Sequence, residues 1–208
     1  MVTVDPARTA VLILDLQNEV IHEKGAFGGS GAAAHAVQQN VVGNAARLAD
    51  AARSAGAHVI HVHHRPSVGA DSGADSKQNA PLWRDMAEAN AMGNDWSVAP
   101  HEGIEPQAGD TVLEKQRVSA FYGTPLDIKL RGLGVEKVLV SGALTNLSVE
   151  STIRYGADLG YEMVLVEDAC SSFDDAWHRA AVEFAVVHLG EVATVDEIVA
   201  ALSGATSA

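Results

Sequence analysis

The chain has 208 residues, 47% of them hydrophobic and 20% charged. That is a globular composition with enough apolar side chain for one sizeable core and too much for a disordered segment. The formal net charge of −13 opposes nucleic-acid backbones and anionic membrane surfaces, so neither is expected as a partner.

The lone cysteine, Cys170, cannot form an internal disulfide. No basic start followed by an apolar run opens the sequence, so no signal peptide is expected, and no apolar stretch approaches the ~20 residues of a membrane span. A cytoplasmic protein fits these features. With no internal repeat and no dividing linker, residues 1–208 are expected to form one domain.

Thr9 to Leu16 is continuously apolar up to Asp15, the pattern of a central parallel strand buried on both faces. Residues 25–30 are a glycine-rich loop. A long helix is expected from about Ala32 to Ser54, with Val37, Val41, Val42, Ala45, Leu48 and Ala52 at helical spacing and Gly56 as its stop. Ala57 to His64 is the second strand. Residues 65–109 carry many prolines and glycines, with Trp83 and Trp96 among them, and suit a functional loop region.

The third strand is Asp110 to Lys115, and after the loop Ser119–Thr124, Pro125 opens a helix through Arg131. Val138 to Val140 is the fourth strand, with a tight turn at Gly142 and a helix beginning near Asn146. Glu162 to Asp168 is the fifth strand, and a helix runs from about Asp174 to Leu189. Val192 to Val195 is the sixth strand, and Asp196 caps a last helix ending near Leu202. Strands alternating with helices imply an α/β three-layer sandwich around a central, mainly parallel six-stranded sheet.

In such a sheet Asp15, Lys115 and Ser148 share the carboxyl edge, where α/β folds place their ligands. Singly, Asp15 can serve as a cap, Lys115 as a charged strand terminus and Ser148 as a polar residue in a first helical turn. Jointly they offer a carboxylate, a cation and a hydroxyl beside the free N–H groups of a helix start, which can hold a developing oxyanion.

Ala10-Val11-Leu12-Ile13-Leu14-Asp15-Leu16-Gln17-Asn18, Glu114-Lys115 with Ser119 to Leu126, Gly142 to Thr152, and Gly160-Tyr161 through Val166-Glu167-Asp168-Ala169 occur in one order. They resemble the motifs of the isochorismatase-like cysteine hydrolases over roughly residues 8–195. The resemblance implies an enzyme cleaving a small amide or ureido C–N bond through an acyl-enzyme, closest to ureidoacrylate-type or N-carbamoylsarcosine-type amidohydrolases. Isochorismate-type vinyl ether cleavage is the other branch, and a silent small-molecule binder a further reading.

By the same resemblance Asp15 is the general base, Lys115 the cation that steadies the nucleophile, and the N–H groups of Leu144 and Ser148 the oxyanion hole. The Ala143–Leu144 peptide is then expected to be cis. No cofactor is implied, and a homo-oligomer is. The family's nucleophile is a cysteine, which a lysine and a helix N-terminus bring to thiolate. Serine stands at 148 here, either as a deliberate Cys→Ser replacement, the reading favoured by the intact remaining motifs, or as a natural variant.

His61, His63 and His64 invite a metal reading, but the Asp-x-His-x-x-x-His pattern of related nicotinamidases is missing after this strand, so no metal is expected. Substrate-contact candidates are Asn18, Phe27, His64, Trp83, Arg117, Phe121 and Tyr122, and Arg117 would suit a carboxylate. Cys170 is a rival nucleophile with no base placed beside it by the sequence.

Overall fold

The computed structural model describes residues 2–65 and 94–205, so Trp83 lies outside the described residues. Six strands form one sheet in the order β3-β2-β1-β4-β5-β6. They are β1 (Thr9–Leu14), β2 (His58–His64), β3 (Thr111–Lys115), β4 (Lys137–Ala143), β5 (Glu162–Ser171) and β6 (Glu191–Ala193). All five pairings are parallel, so the sheet is more uniform than expected.

The strands are apolar runs because both sheet faces are covered. On one face Val11, Ile13 and Leu139 pack against α3 (Val41–Ala55) through Ala45, Leu48 and Ala52, and against α8 (Val195–Ala205) through Ile198 and Leu202. On the other, Leu12, Leu14, Val138 and Val140 pack against Leu126 and Leu130 of α5 (Leu126–Gly132), Ile153 of α6 (Glu150–Asp158) and Val182 of α7 (Asp175–Phe184). Each such buried Val, Leu or Ile side chain contributes about 1.5–3 kcal/mol. No described helix is long and apolar enough to cross a membrane.

Several boundaries differ from the sequence expectation for local reasons. The helix expected from Ala32 to Ser54 is two, α2 (Ala32–Gln38) and α3, because Asn40 takes a left-handed φ of 50°, a conformation asparagine tolerates better than most residues. The helix expected to reach Leu189 gives way to a 3₁₀ turn at Val186–His188. Strand β5 runs on to Ser171, since a register shift between Val140 and Gly142 lets Cys170 pair with Gly142. Two short helices, α1 (Asn18–Ile21) and α4 (Asp95–Val98), lie in stretches with too few residues to show a period.

The middle of β2 and the loop before β3 share a buried polar cluster. Both oxygens of Asp110 accept from Arg53, Nε to Oδ1 at 3.0 Å and Nη2 to Oδ2 at 2.7 Å. His61 Nε2 lies 3.1 Å from Oδ2. Burial first, then the nearby His63 and Arg53 charges, hold the His61 imidazole at about 4 despite Asp110. His178 on α7, buried beside His35, is also held at about 4.

Both rings titrate lower folded than unfolded, so the unfolded chain binds the extra protons between pH 6.5 and about 4. Their stabilisation is present above pH 6.5 and is lost as pH falls toward 4, on the order of 3 kcal/mol per ring at the limit. Urea unfolding followed by circular dichroism should give a midpoint that drops steadily across this window. In His61→Asn and His178→Asn variants the drop should be shallower.

Candidate active site

The strand order reverses between β1 and β4: successive crossovers run outward from β1 through β2 to β3 on one side, and through β4 and β5 to β6 on the other. The crevice of a parallel sheet opens at such a switch, outside the carboxyl ends. Asp15 follows β1, and Ser148 lies in the turn after β4, so they flank the switch. His64 and Lys115 end β2 and β3 and pair in register. A cavity with about 360 Å³ of space between its atoms, counting its open mouth, is lined by Asp15, His64, Lys115 and Ser148 together with Val20, Phe27, Val118, Ala143, Leu144 and Leu147.

Asp15 has a left-handed φ of 53°, an uncommon conformation outside glycine that costs on the order of 1–3 kcal/mol and clusters at functional sites. Its N–H still donates to the Val62 carbonyl at 3.0 Å. Oδ2 meets Lys115 Nζ at 2.8 Å, and Nζ also donates to the carbonyls of Arg117 and Val118, each at 3.1 Å. An ammonium has three N–H donors, so Lys115 is saturated. The Asp15 carboxylate is thereby held by one oxygen. Oδ1 is buried with no hydrogen-bond partner among the described residues, and the same is true of Ser148 Oγ.

Ser148 sits in a π turn, Thr145–Val149, which precedes α6. The Leu144 carbonyl accepts from both Leu147 at 3.0 Å and Val149 at 3.2 Å, and the Ala143–Leu144 peptide is cis. Gly142, paired with Leu14, has φ 129°, and a Cβ there would collide with the Leu14 carbonyl oxygen. A side chain at 142 would push the turn that carries Ser148 away from the end of β1. Behind the turn, Thr145 Oγ1 and His178 Nδ1 are 2.8 Å apart, and Ser172 Oγ donates to Asn146 Oδ1 at 2.5 Å.

The opposite wall is built from the segment after Asp15. Gln17 is wholly buried; its Nε2 donates to the carbonyls of His64 at 2.9 Å and Val98 at 2.7 Å, while its Oε1 accepts from the His64 N–H at 2.6 Å. Glu19, also wholly buried, places Oε1 3.1 Å from His64 Nδ1. The Phe27 N–H donates to the Glu19 carbonyl at 3.0 Å, which folds Phe27 over the cavity.

Of the residues expected at the substrate, Phe27 and His64 line the cavity and four others do not. Asn18 donates to the Trp96 carbonyl at 3.0 Å and ties α1 to α4. Phe121 stacks between Tyr155 and Tyr161, with ring centroids 5.8 Å from each, because the loop after β3 turns its ring into the core. Arg117 and Tyr122 line a separate surface depression with Arg65, Glu114, Gln116 and Gly123. Cys170 is fully buried inside β5, where burial raises its thiol and Sγ faces the Val140 carbonyl at 3.8 Å. It packs the core and lines no part of the cavity.

Val20, Val118, Ala143 and Leu147 were not anticipated, nor were Gln17 and Glu19 as supports. Gln17 had a visible signal as a polar residue directly after a buried strand. Among the described residues no three His, Cys, Asp or Glu side chains converge as metal ligands.

Removing one partner of a buried ion pair leaves the other charge uncompensated, at a cost of about 3–5 kcal/mol. Lys115→Met should therefore destabilise the fold by that amount in urea unfolding. The double variant with Asp15→Asn should lose much less than the sum of the two single losses.

The Isochorismatase domain model matches residues 9–197. Ureidoacrylate amidohydrolase RutB of Methylobacterium radiotolerans is 33% identical, over 97% of this chain and 82% of its own length. A cysteine hydrolase from Pseudomonas syringae pv. phaseolicola superposes with a TM-score of 0.83 at 28% identity, covering 99% of this chain and 97% of that one. N-carbamoylsarcosine amidase from Thermoplasma acidophilum does so with 0.68 at 27% identity, covering 91% and 97%. With the family model spanning residues 9–197 and a curated relative 33% identical over nearly the whole chain, the chain belongs to the isochorismatase family of hydrolases.

Proposed function

We propose that the protein hydrolyses a C–N bond in a small amide or ureido compound through an acyl-enzyme on residue 148. One observation supports this above others. Asp15 Oδ2 is locked to a saturated Lys115, while Asp15 Oδ1 and Ser148 Oγ, both lining one cavity, have no hydrogen-bond partner among the described residues. A buried hydroxyl and a buried carboxylate oxygen left unpaired are costly, and a substrate that engages both removes the cost.

In the reaction, the residue-148 side chain attacks the carbonyl carbon and its proton passes to Asp15 Oδ1. The tetrahedral oxyanion is met by the backbone N–H groups of Leu144 and residue 148. The intermediate collapses, the C–N bond breaks and Asp15 returns the proton to the leaving nitrogen. Water then attacks the acyl group, giving its proton to Asp15, and the acid departs as residue 148 is reprotonated. Phe27 and His64 border the acyl group. The names of RutB and the carbamoylsarcosine amidase support the amide and ureido class.

A thiol is the group this Asp–Lys pair activates best, because an alcohol is several units more basic. Ser148→Cys, incubated with a panel of primary amides and N-carbamoyl compounds, should form a covalent adduct whose mass equals the acyl group. Its turnover should fall by about 10²-fold or more when Asp15→Asn is added. Silence of Ser148→Cys toward the whole panel, with ligand-induced rises in melting temperature still present, would favour a binding protein instead.

A further inference from the structure

We propose that His178 is a positioning residue of the reaction: it closes a buried polar ring around the outer side of the turn after β4, and that ring holds the N–H groups of Leu144 and residue 148 where the acyl oxygen becomes negative. The proposal rests on the amide-hydrolase reading and names what sets its oxyanion donors.

The ring can be traced contact by contact. Thr145 Oγ1 lies 2.8 Å from Nδ1 of His178 on α7. The His178 ring tilts against His35 of α2, with centroids 5.6 Å apart. His35 Nδ1 accepts from the Ser172 N–H, one residue past β5, at 3.0 Å. Ser172 Oγ donates to Asn146 Oδ1 at 2.5 Å, and Asn146 follows Thr145 in the chain. Two neighbouring residues of the turn are thus gripped from α7 and from the end of β5, and the two grips meet through a pair of imidazoles. Thr145, Ser172, His35 and His178 are all buried.

The imidazoles are uncharged at neutral pH. His35 Nδ1 accepts a hydrogen bond, so the proton of that ring is on Nε2. Burial lowers His35 against the pull of Asp175 and Asp174. Burial first, then the neighbouring His35, holds His178 at about 4 against Asp175. The contact between Thr145 and His178 therefore joins two neutral groups.

Packing alone does not call for these side chains. Leucine at 178 and valine at 145 would occupy similar space with no polar atom to satisfy, whereas the ring leaves His35 Nε2 buried with no hydrogen-bond partner among the described residues. What the polar version adds is direction. A threonine side chain is stiff at χ1, so an anchor on Oγ1 is an anchor on the backbone beside it. Thr145 directly follows Leu144, whose carbonyl braces the turn from inside by accepting from Leu147 at 3.0 Å and Val149 at 3.2 Å. Oxyanion donors act by being in place before charge develops, and a displacement of about 1 Å can cost on the order of 10²-fold in rate. His178 lines no part of the cavity, so it acts through Thr145 without touching substrate.

The test is made in the Ser148→Cys background with 4-nitrophenyl acetate, following first-turnover release of nitrophenolate as the ester concentration is raised. His178→Leu and Thr145→Val each remove the contact from one end, and His178→Asn restores a hydrogen-bonding atom near the place of Nδ1. His178→Leu should lower the maximal acylation rate about tenfold or more, with the half-saturating ester concentration changed by less than about twofold. Thr145→Val should do the same, the two changes together should be no worse than either alone, and His178→Asn should recover most of the rate. All rates are compared at a temperature where circular dichroism shows each variant folded.

Variants that melt earlier but acylate at the full rate would overturn the proposal, since a purely structural role predicts them. Losses from His178→Leu and Thr145→Val that multiply, or a His178→Asn variant as slow as His178→Leu, would overturn it too. Should His178→Leu not fold, Thr145→Val decides, and a full rate there sinks the proposal. Each of these results leaves the amide-hydrolase reading standing, because Ser148→Cys itself reacts. Silence of Ser148→Cys toward the ester and the amide panel would remove that reading, and the proposal with it.

Discussion

A single ion pair organises the carboxyl edge of the sheet. Asp15 and Lys115 are both buried, at 5% and 2% exposure, and desolvating two charges is unfavourable unless every polar atom finds a partner. The lysine meets that condition: Asp15 and two carbonyls take its three protons. The aspartate does not, because one oxygen is left facing the cavity. The fold thus completes the cation and leaves the anion incomplete, with one Asp15 oxygen unsatisfied by the described residues. A left-handed backbone at Asp15 adds local strain at the same point, held by the surrounding strands.

The rest of the sheet edge follows from bringing that carboxylate up to residue 148. Parallel pairing of Leu14 with Gly142 aligns the ends of β1 and β4, and the missing side chain at 142 lets the turn after β4 close against the Leu14 carbonyl. Ser141 Oγ donates to the Leu12 carbonyl at 3.0 Å, another tie between the same two strands. Beyond the turn, the contact of Thr145 with His178 and of Asn146 with Ser172 fixes its outer side. Residue 148 is therefore positioned by backbone geometry and buried hydrogen bonds before any substrate arrives, the condition under which N–H groups aimed at an oxyanion are most effective.

Much of this was legible in the sequence, and what was not has identifiable causes. Apolar runs such as Ala10–Leu14 show their strands because a two-sided burial leaves no polar alternation. The address of Asp15, Lys115 and Ser148 followed from strand ends alone. The break at Asn40 was hidden, because helical spacing continues across it and a left-handed residue leaves no mark in periodicity. Phe121, Tyr122 and Arg117 showed that a loop was near the site, but not which way each side chain turned. The contact of Glu19 with His64 spans 45 residues of sequence, and no local pattern connects a glutamate on a one-turn helix to a histidine at the end of another strand.

The saturation of Lys115 also limits how the cavity recognises its substrate. A lysine with spare protons could pair with a substrate carboxylate. Here all three protons are engaged within the fold, and the Arg117 guanidinium is turned outside to donate to the Gln116 carbonyl at 3.0 Å. The remaining described wall, Val20, Phe27, Val118, Ala143, Leu144 and Leu147, is apolar. Within it the polar functions that a substrate meets are the Asp15 oxygen, the Ser148 hydroxyl, the His64 ring and the backbone at the turn. Among the described residues this part of the wall offers a substrate apolar surface, against which a buried charged group would lose hydration. Hydrogen bonding on this described side of the cavity is therefore confined to the few polar atoms at the strand ends and the turn.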